Sequence, residues 1–192
     1  MYDMERYLAS TDIIDWHTPA VRELAGSLSR ETVLEAARTC FEWVRDRIAH
    51  SGDTQADVGT CRASEVLEQR TGWCYAKSHL LAALLRANGI PAGLCYQRLS
   101  RDEGGGFVVH GLNGVHLPEH GWYRVDVRGN KPGVNAQFSP PIERLAWEGT
   151  GPGEANFPGI HPTPLPEIVH FLSSTRGYEQ TRRELPDLKP TV

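Results

Sequence analysis

The sequence has no long apolar run. No segment approaches the roughly 18 apolar residues of a membrane-spanning helix, so no membrane span and no membrane partner is expected. The first residues, Met1-Tyr2-Asp3-Met4-Glu5-Arg6, mix both charges and lack the apolar stretch of a secretory leader. A cytoplasmic location is the resulting expectation. Cationic charge is not in excess: 20 Lys and Arg stand against 24 Asp and Glu, for a net charge of −4 and a pI near 6.1. That balance carries no footprint of a nucleic-acid partner, which usually shows as a basic patch. The four cysteines, Cys40, Cys61, Cys74 and Cys95, form no C-x-x-C pair, which argues against a thiolate zinc site. Scattered in this way they read as free thiols. Gly104-Gly105-Gly106 lacks the Lys-Ser/Thr of a phosphate loop. No repeat and no low-complexity segment is present, and neither a metal nor an organic cofactor is expected.

What is present fits one globular domain over residues 1–192. The chain is long enough for its own core, with 40% apolar and 23% charged residues. Residues 1–16 read as extended. Thr18-Pro19 opens a helix, with Thr18 as its cap and Val21, Leu24, Ala25 and Leu28 at helical spacing. A second helix starts near Glu31; Val33, Leu34, Ala37, Cys40, Phe41, Val44 and Ile48 form its buried stripe. Cys40 belongs to that stripe as a small core residue. Residues 50–62 are polar and read as a loop. A short helix covers 63–70, and Cys61, just before it, is assigned to packing. Gly72 precedes a helix from about Cys74 to Asn88, so apolar that it must pack on more than one side. Gly89 suits the left-handed position that ends it, and Pro91 blocks continuation. Three strands follow, at Ala92–Leu99, Phe107–Leu117 and Trp122–Val127, with a turn at Pro118–Gly121. Residues 128–192, rich in Gly and Pro, read as an irregular wrap with a terminal helix near 164–177 and a loose end after Glu184.

The chemistry lies in a cysteine, a histidine and an aspartate, in that order. Cys74 stands at the start of its helix, where the helix dipole favours a thiolate. A thiol nucleophile needs a base, and the base needs a group to orient it. Asp is depleted in strands, so Asp126 needs a reason to be in one. His110, near the start of the preceding strand, supplies it, because antiparallel pairing brings such ends together. His116 has the same parity but lies opposite the start of the third strand, and His120 sits in the turn. His110 is therefore the expected base. His79, five residues past Cys74 on the same helix, points away and is read as a structural histidine. The same residues could also be core residues of an inert scaffold, a catalytically silent module that holds a peptide in its cleft.

Residues 63–126 resemble the core of the transglutaminase-like superfamily, which belongs with the papain-like cysteine enzymes. The likeness rests on Gly72-Trp73-Cys74 at a helix start and on Ala83-Leu84-Leu85-Arg86-Ala87-Asn88-Gly89-Ile90-Pro91-Ala92 at its end. It continues with His110 and then Gly121-Trp122-Tyr123-Arg124-Val125-Asp126, and upstream with Val44-Arg45-Asp46-Arg47-Ile48. His110 follows Cys74 by 36 residues (110 − 74), and Asp126 follows His110 by 16 (126 − 110). Where the family often has an aromatic and then an acidic residue beyond the histidine, this chain has Leu112 and Gly114. The resemblance implies an α+β fold, with N-terminal helices packed on a C-terminal antiparallel β-sheet. It also implies acyl transfer or hydrolysis on a peptide or protein amide through a thioester on Cys74. His110 would move the proton and Asp126 would hold the imidazole. The Cys74 N–H would be one oxyanion donor; Trp73, equally a pocket wall, and Gln69, equally a solvated helix residue, are candidates for the second.

Overall fold

Helix α5, Cys74–Ala87, is the centre of the molecule. The computed structural model describes residues 3–101, 104–175 and 177–190, and within it every residue of α5 from Cys74 to Arg86 is buried. Such a helix needs partners all round. Helices α1 (Pro19–Leu28), α2 (Val33–Arg47) and α4 (Ala63–Gln69) pack on it from the N-terminal half. Strands β3 (Ala92–Ser100) and β4 (Phe107–Leu117) pack on it from the C-terminal half. Asn88 closes the helix, and Gly89 turns the chain at a φ of 71° that a side chain would resist.

The sheet is antiparallel, in the order β5-β4-β3-β6, with β5 at Gly121–Val125 and β6 at Ala155–Asn156. Its register pairs Gln97 with His110 and His116 with Trp122. A two-residue parallel pair, β1 (Ala49–His50) with β2 (Thr71–Gly72), ties the end of α2 to the entry of α5. Successive strand residues point to opposite faces. Gly111 faces α5, where a Cβ would lie 2.9 Å from the Tyr75 Cα. Gly114 faces the other way, where a Cβ would meet Ile160 at 2.8 Å, and Gly93 beside it would meet Ile160 at 2.6 Å. The wrap thus seals the sheet's second face and makes it a middle layer. Buried Arg86 binds it in: its guanidinium donates to the Ala9, Ala92 and Pro162 carbonyls.

Helices first and sheet second is the order the sequence predicts; several details differ. Residues 4–7 form a 3₁₀ turn instead of an extended segment. Thr18 precedes α1, but its hydroxyl donates to Asp15 O and caps nothing; Thr32 caps α2, accepting from the Glu35 N–H at 3.2 Å. Val33, expected on the buried stripe, is exposed at the first helical position. The expected loop at 50–62 begins with a one-turn helix, α3 (Ser51–Thr54), because the His50 ring accepts the Gly52 N–H. The third strand stops at Val125, since the Asp126 carboxylate turns back to accept the Arg128 N–H at 2.9 Å. The terminal helix α6 covers Pro166–Ser174, and a further helix α7 (Tyr178–Arg183) follows it. Among the described residues, the segment after Glu184 is held at two points rather than loose. Pro186 O accepts the Val109 N–H at 2.8 Å, and Asp187 pairs with Arg98 at 2.6 Å.

The close approach at Gly93 yields a stability test. Gly93→Ala should cost about 1–3 kcal/mol through overpacking, and Ile160→Ala in the same chain should recover part of that loss. Urea unfolding of the two single variants and the double variant measures the coupling. Simple additivity would mean that Ile160 does not press on the sheet.

Candidate active site

The packing of Tyr75 against Gly111 sets Cys74 beside β4. The Gly111 N–H donates to Cys74 Sγ at 3.4 Å. The preceding residue is His110, whose ring is near enough to Cys74 for the thiol to act on its titration. His110 Nε2 meets Asp126 Oδ2 at 2.8 Å, which leaves Nδ1 for the thiol. Cys74, His110 and Asp126 are all buried, with Cys74 6% exposed. The structure therefore brings together the three residues that the sequence singles out. His116 lies elsewhere, its ring against Trp122 at 5.4 Å.

Asp126 is fully buried, and its charge survives through its partners. Besides His110 it accepts from the Arg128 N–H at 2.9 Å and the Ala146 N–H at 3.1 Å. Burial pushes its pKa up, but the His110 charge and these hydrogen bonds more than offset that, so the carboxyl titrates below its ordinary value. Burial opposes charge on His110 as well. Asp126 and then Cys74 overcome it, and the imidazole pKa rises.

The site opens into a cleft of about 500 Å³ whose walls include Trp73, Tyr75, His50, Arg128 and Trp147. Trp73 caps α5 and stands edge-on to His50, with ring centroids 5.5 Å apart. Trp147 covers His110 edge-to-face at 4.9 Å. Arg128 is tied by a bidentate pair to Asp53; burial raises the Asp53 pKa, but the Arg128 hydrogen bonds and charge more than offset that, and it falls to about 2. His50 is pushed well below its ordinary pKa, first by burial and then by Arg128. It is therefore neutral, and since Nδ1 accepts from Gly52 the ring proton sits on Nε2. Gln69 is a correction to the sequence reading. It is exposed on the last turn of α4 and is no part of the cleft wall, because β2 carries the chain away from it before Cys74.

His50, Arg128, Trp147 and Lys77 escape sequence reasoning. Three of them lie outside any periodic stretch, in a short strand end and in the Gly- and Pro-rich wrap. The one available signal was Lys77 itself, a charged residue in an otherwise apolar helix. The other histidine and cysteines have the structural surroundings expected of them. His79 bonds the Cys61 carbonyl at 2.7 Å. Burial raises the thiol pKa of Cys40 and Cys95 to about 12 and that of Cys61 to about 11. A larger depression of about 890 Å³, near Asp57, Arg62 and Glu65, contains Cys61, but no histidine is among its described lining residues, so the smaller cleft is where chemistry is expected. Among the described residues no group of His, Cys, Asp and Glu could hold a metal ion, and no helix is long and apolar enough to cross a membrane.

A family model of the transglutaminase-like superfamily matches residues 21–127, more than half of the chain. The chain belongs to that superfamily. Among solved structures it is similar to a protein from Cytophaga hutchinsonii described as a candidate cysteine protease. The two share 20% identity at a TM-score of 0.54, over 67% of this chain and 43% of that one. The periplasmic domain of TgpA from Pseudomonas aeruginosa is also similar, with 21% identity and a TM-score of 0.48 over 65% of this chain and 46% of that one. At 20% identity the likeness to the Cytophaga protein is one of fold, a mixed helical and antiparallel papain-like architecture, and this chain spans less than half of either relative. No curated protein matches the sequence.

Lys77 underlies the whole arrangement. Its ammonium, fully buried one turn beyond Cys74, donates to the carbonyls of Ile48 at 2.6 Å, Arg128 at 3.2 Å and Arg45 at 3.4 Å. Burial first, and Arg128 second, lower its pKa to about 7, against Asp126, Asp53 and Asp46, which raise it. In the unfolded chain the same group keeps its proton to about pH 10.4. Between those values the unfolded state binds more protons, so Lys77 makes stability rise with pH. Compared with Lys77→Met, the native protein should gain stability from pH 6.5 to pH 9.5. Urea unfolding of both at the two pH values measures it; a constant difference would show that Lys77 keeps an ordinary pKa.

Proposed function

We propose that this protein is a cysteine enzyme that hydrolyses or transfers the acyl group of a peptide or protein amide. One observation carries the reading: Cys74 and His110 line one cleft, the Gly111 N–H next to His110 lies on Cys74 Sγ, and His110 is hydrogen-bonded to Asp126. Cys74 Sγ attacks the amide carbonyl as His110 holds the thiol proton. The C–N bond then breaks, and that proton leaves on the amine. Water or a second amine attacks the thioester carbonyl, gives its proton to His110, and the thiol is restored. Asp126, ionised and bonded to Nε2, keeps Nδ1 toward the sulfur and stabilises the imidazolium.

Cys74 is the first residue of α5, so its N–H has no acceptor within the helix and suits a developing oxyanion. The neutral His50, with its proton on Nε2, stands in the same cleft and is a candidate second donor. Trp73 fits the part of a wall between His50 and Tyr178, whose ring lies parallel to it at 6.4 Å. No metal or organic cofactor enters these steps. A reducing compartment such as the cytoplasm suits the four free cysteines. The rival reading, a silent peptide-binding module, has one point in its favour: part of the chain's own C-terminal segment lies in the cleft.

Thiol labelling separates the two. Iodoacetamide at pH 7 should modify Cys74 well before Cys40, Cys61 and Cys95, whose thiols are held protonated by burial; equal rates by peptide mass spectrometry would support the module. Asp126→Asn should lower turnover of an amide substrate by about 10⁴, the cost of the same change in a serine-protease triad. Cys74→Ala should abolish turnover, and the double variant should be little worse than Cys74→Ala alone. A folded Asp126→Asn protein with normal turnover would remove Asp126 from the mechanism.

A further inference from the structure

The segment after α7 is held in the cleft as a peptide ligand would be. Two consecutive carbonyls are captured: Leu185 O by Arg101 Nη2 at 3.1 Å, and Pro186 O by the Val109 N–H at 2.8 Å. The next side chain, Asp187, lies bidentate on Arg98 at 2.6 and 2.8 Å. Leu185 lines the same cleft as Cys74, His110 and Trp73.

The edge that holds this segment is the one that holds the nucleophile. β5 pairs with β4 only from Asn113 to Leu117, so among the described residues no strand lies on that side of the first half of β4. N–H groups two residues apart along a strand point the same way. On this edge the Gly111 N–H meets Cys74 Sγ and the Val109 N–H meets Pro186 O. A captured peptide carbonyl and the sulfur are thus served by N–H groups roughly 7 Å apart along one strand. Peptides commonly bind by adding to such an edge.

Arg98 is placed independently of the tail. It donates to Gly153 O at 2.6 Å and lies 3.6 Å over the Phe107 ring. It is a preformed receptor for a carboxylate, whereas Asp187 is 41% exposed and open to exchange. Ion pairs with an exposed partner hold weakly, so the occupant can be displaced.

We propose that Leu185-Pro186-Asp187 occupies the substrate's own binding strip in this structure. The substrate it stands in for is an extended peptide: an apolar residue for the cleft, a residue whose N–H is not needed, and a carboxylate for Arg98. The inference rests on the cleft being the reaction site.

The test compares the full chain, a chain ending at Glu184, and full-length Asp187→Ala. Each is titrated with a fluorescein-labelled peptide of residues 184–190 and followed by anisotropy. If the tail fills the strip about nine-tenths of the time, the shortened chain should bind the peptide about tenfold more tightly than the full chain. Asp187→Ala should fall between them, and replacing Asp by Ala in the peptide should weaken binding to all three. Cys74 should also react faster with a maleimide-bearing peptide in the shortened chain, at an unchanged rate with iodoacetamide. Equal binding by all three chains, or no binding by a shortened chain that still melts cooperatively, would make the tail a mere wall and overturn the proposal. Should the shortened chain fail to fold, Asp187→Ala against the full chain decides alone. Peptide binding as expected, with Cys74 inert to iodoacetamide in every form, would leave the binding strip standing and remove the catalytic reading instead.

Discussion

The burial of α5 is the constraint on which the rest of the structure depends. A helix covered on every side must have close neighbours, and β4 comes so near that only glycine fits at position 111. This contact does more than fill space. It sets the Gly111 N–H on the Cys74 sulfur and, one residue back, His110 beside the thiol. Nucleophile and base are adjacent because a helix and a strand are packed as tightly as their backbones allow. Packing of this kind holds geometry more firmly than a loop could, since dense interiors resist small displacements.

Burying that contact also buries charge. Asp126, His110 and Lys77 all lie out of water, which is costly unless each finds partners. They find them in one another's neighbourhood. Asp126 accepts from His110, Arg128 and Ala146; Lys77 donates to the Arg128 carbonyl; the Arg128 side chain holds Asp53, beside His50. The turn after β5 is therefore fixed from two sides, by a carboxylate bonded to its N–H group and an ammonium bonded to its carbonyl. The position of Asp126 follows from that turn, and the orientation of His110 follows from Asp126.

Much of this was legible in the residues. Period and composition mark α2, α4 and α5, the glycine after Asn88 marks the end of α5, and alternation with a short turn marks the β4–β5 hairpin. Cys74 at a helix start, with His110 and Asp126 on successive strands, is a local pattern whose register can be counted. That counting also separates His110 from His116, which pairs with Trp122. The wrap was not legible, because segments rich in Gly and Pro carry no period. Trp147, β6, α7 and the pinned tail all lie there. Gln69 misled for a related reason: nearness in sequence to Cys74 says nothing of direction once β2 has turned the chain.

The sequence by itself determined the helices α1, α2, α4 and α5, the hairpin and the identity of the three residues that meet, because each depends on local period or on pairing between neighbours in the chain. Only the tertiary structure decided what surrounds them. The neutral state of His50, the lowered pKa of Lys77, the cover of Trp147 over His110 and the seat of Leu185–Asp187 on Arg101, Val109 and Arg98 join parts of the chain with no regular spacing between them. Burial and charge act through distance in space, and no local pattern records that distance.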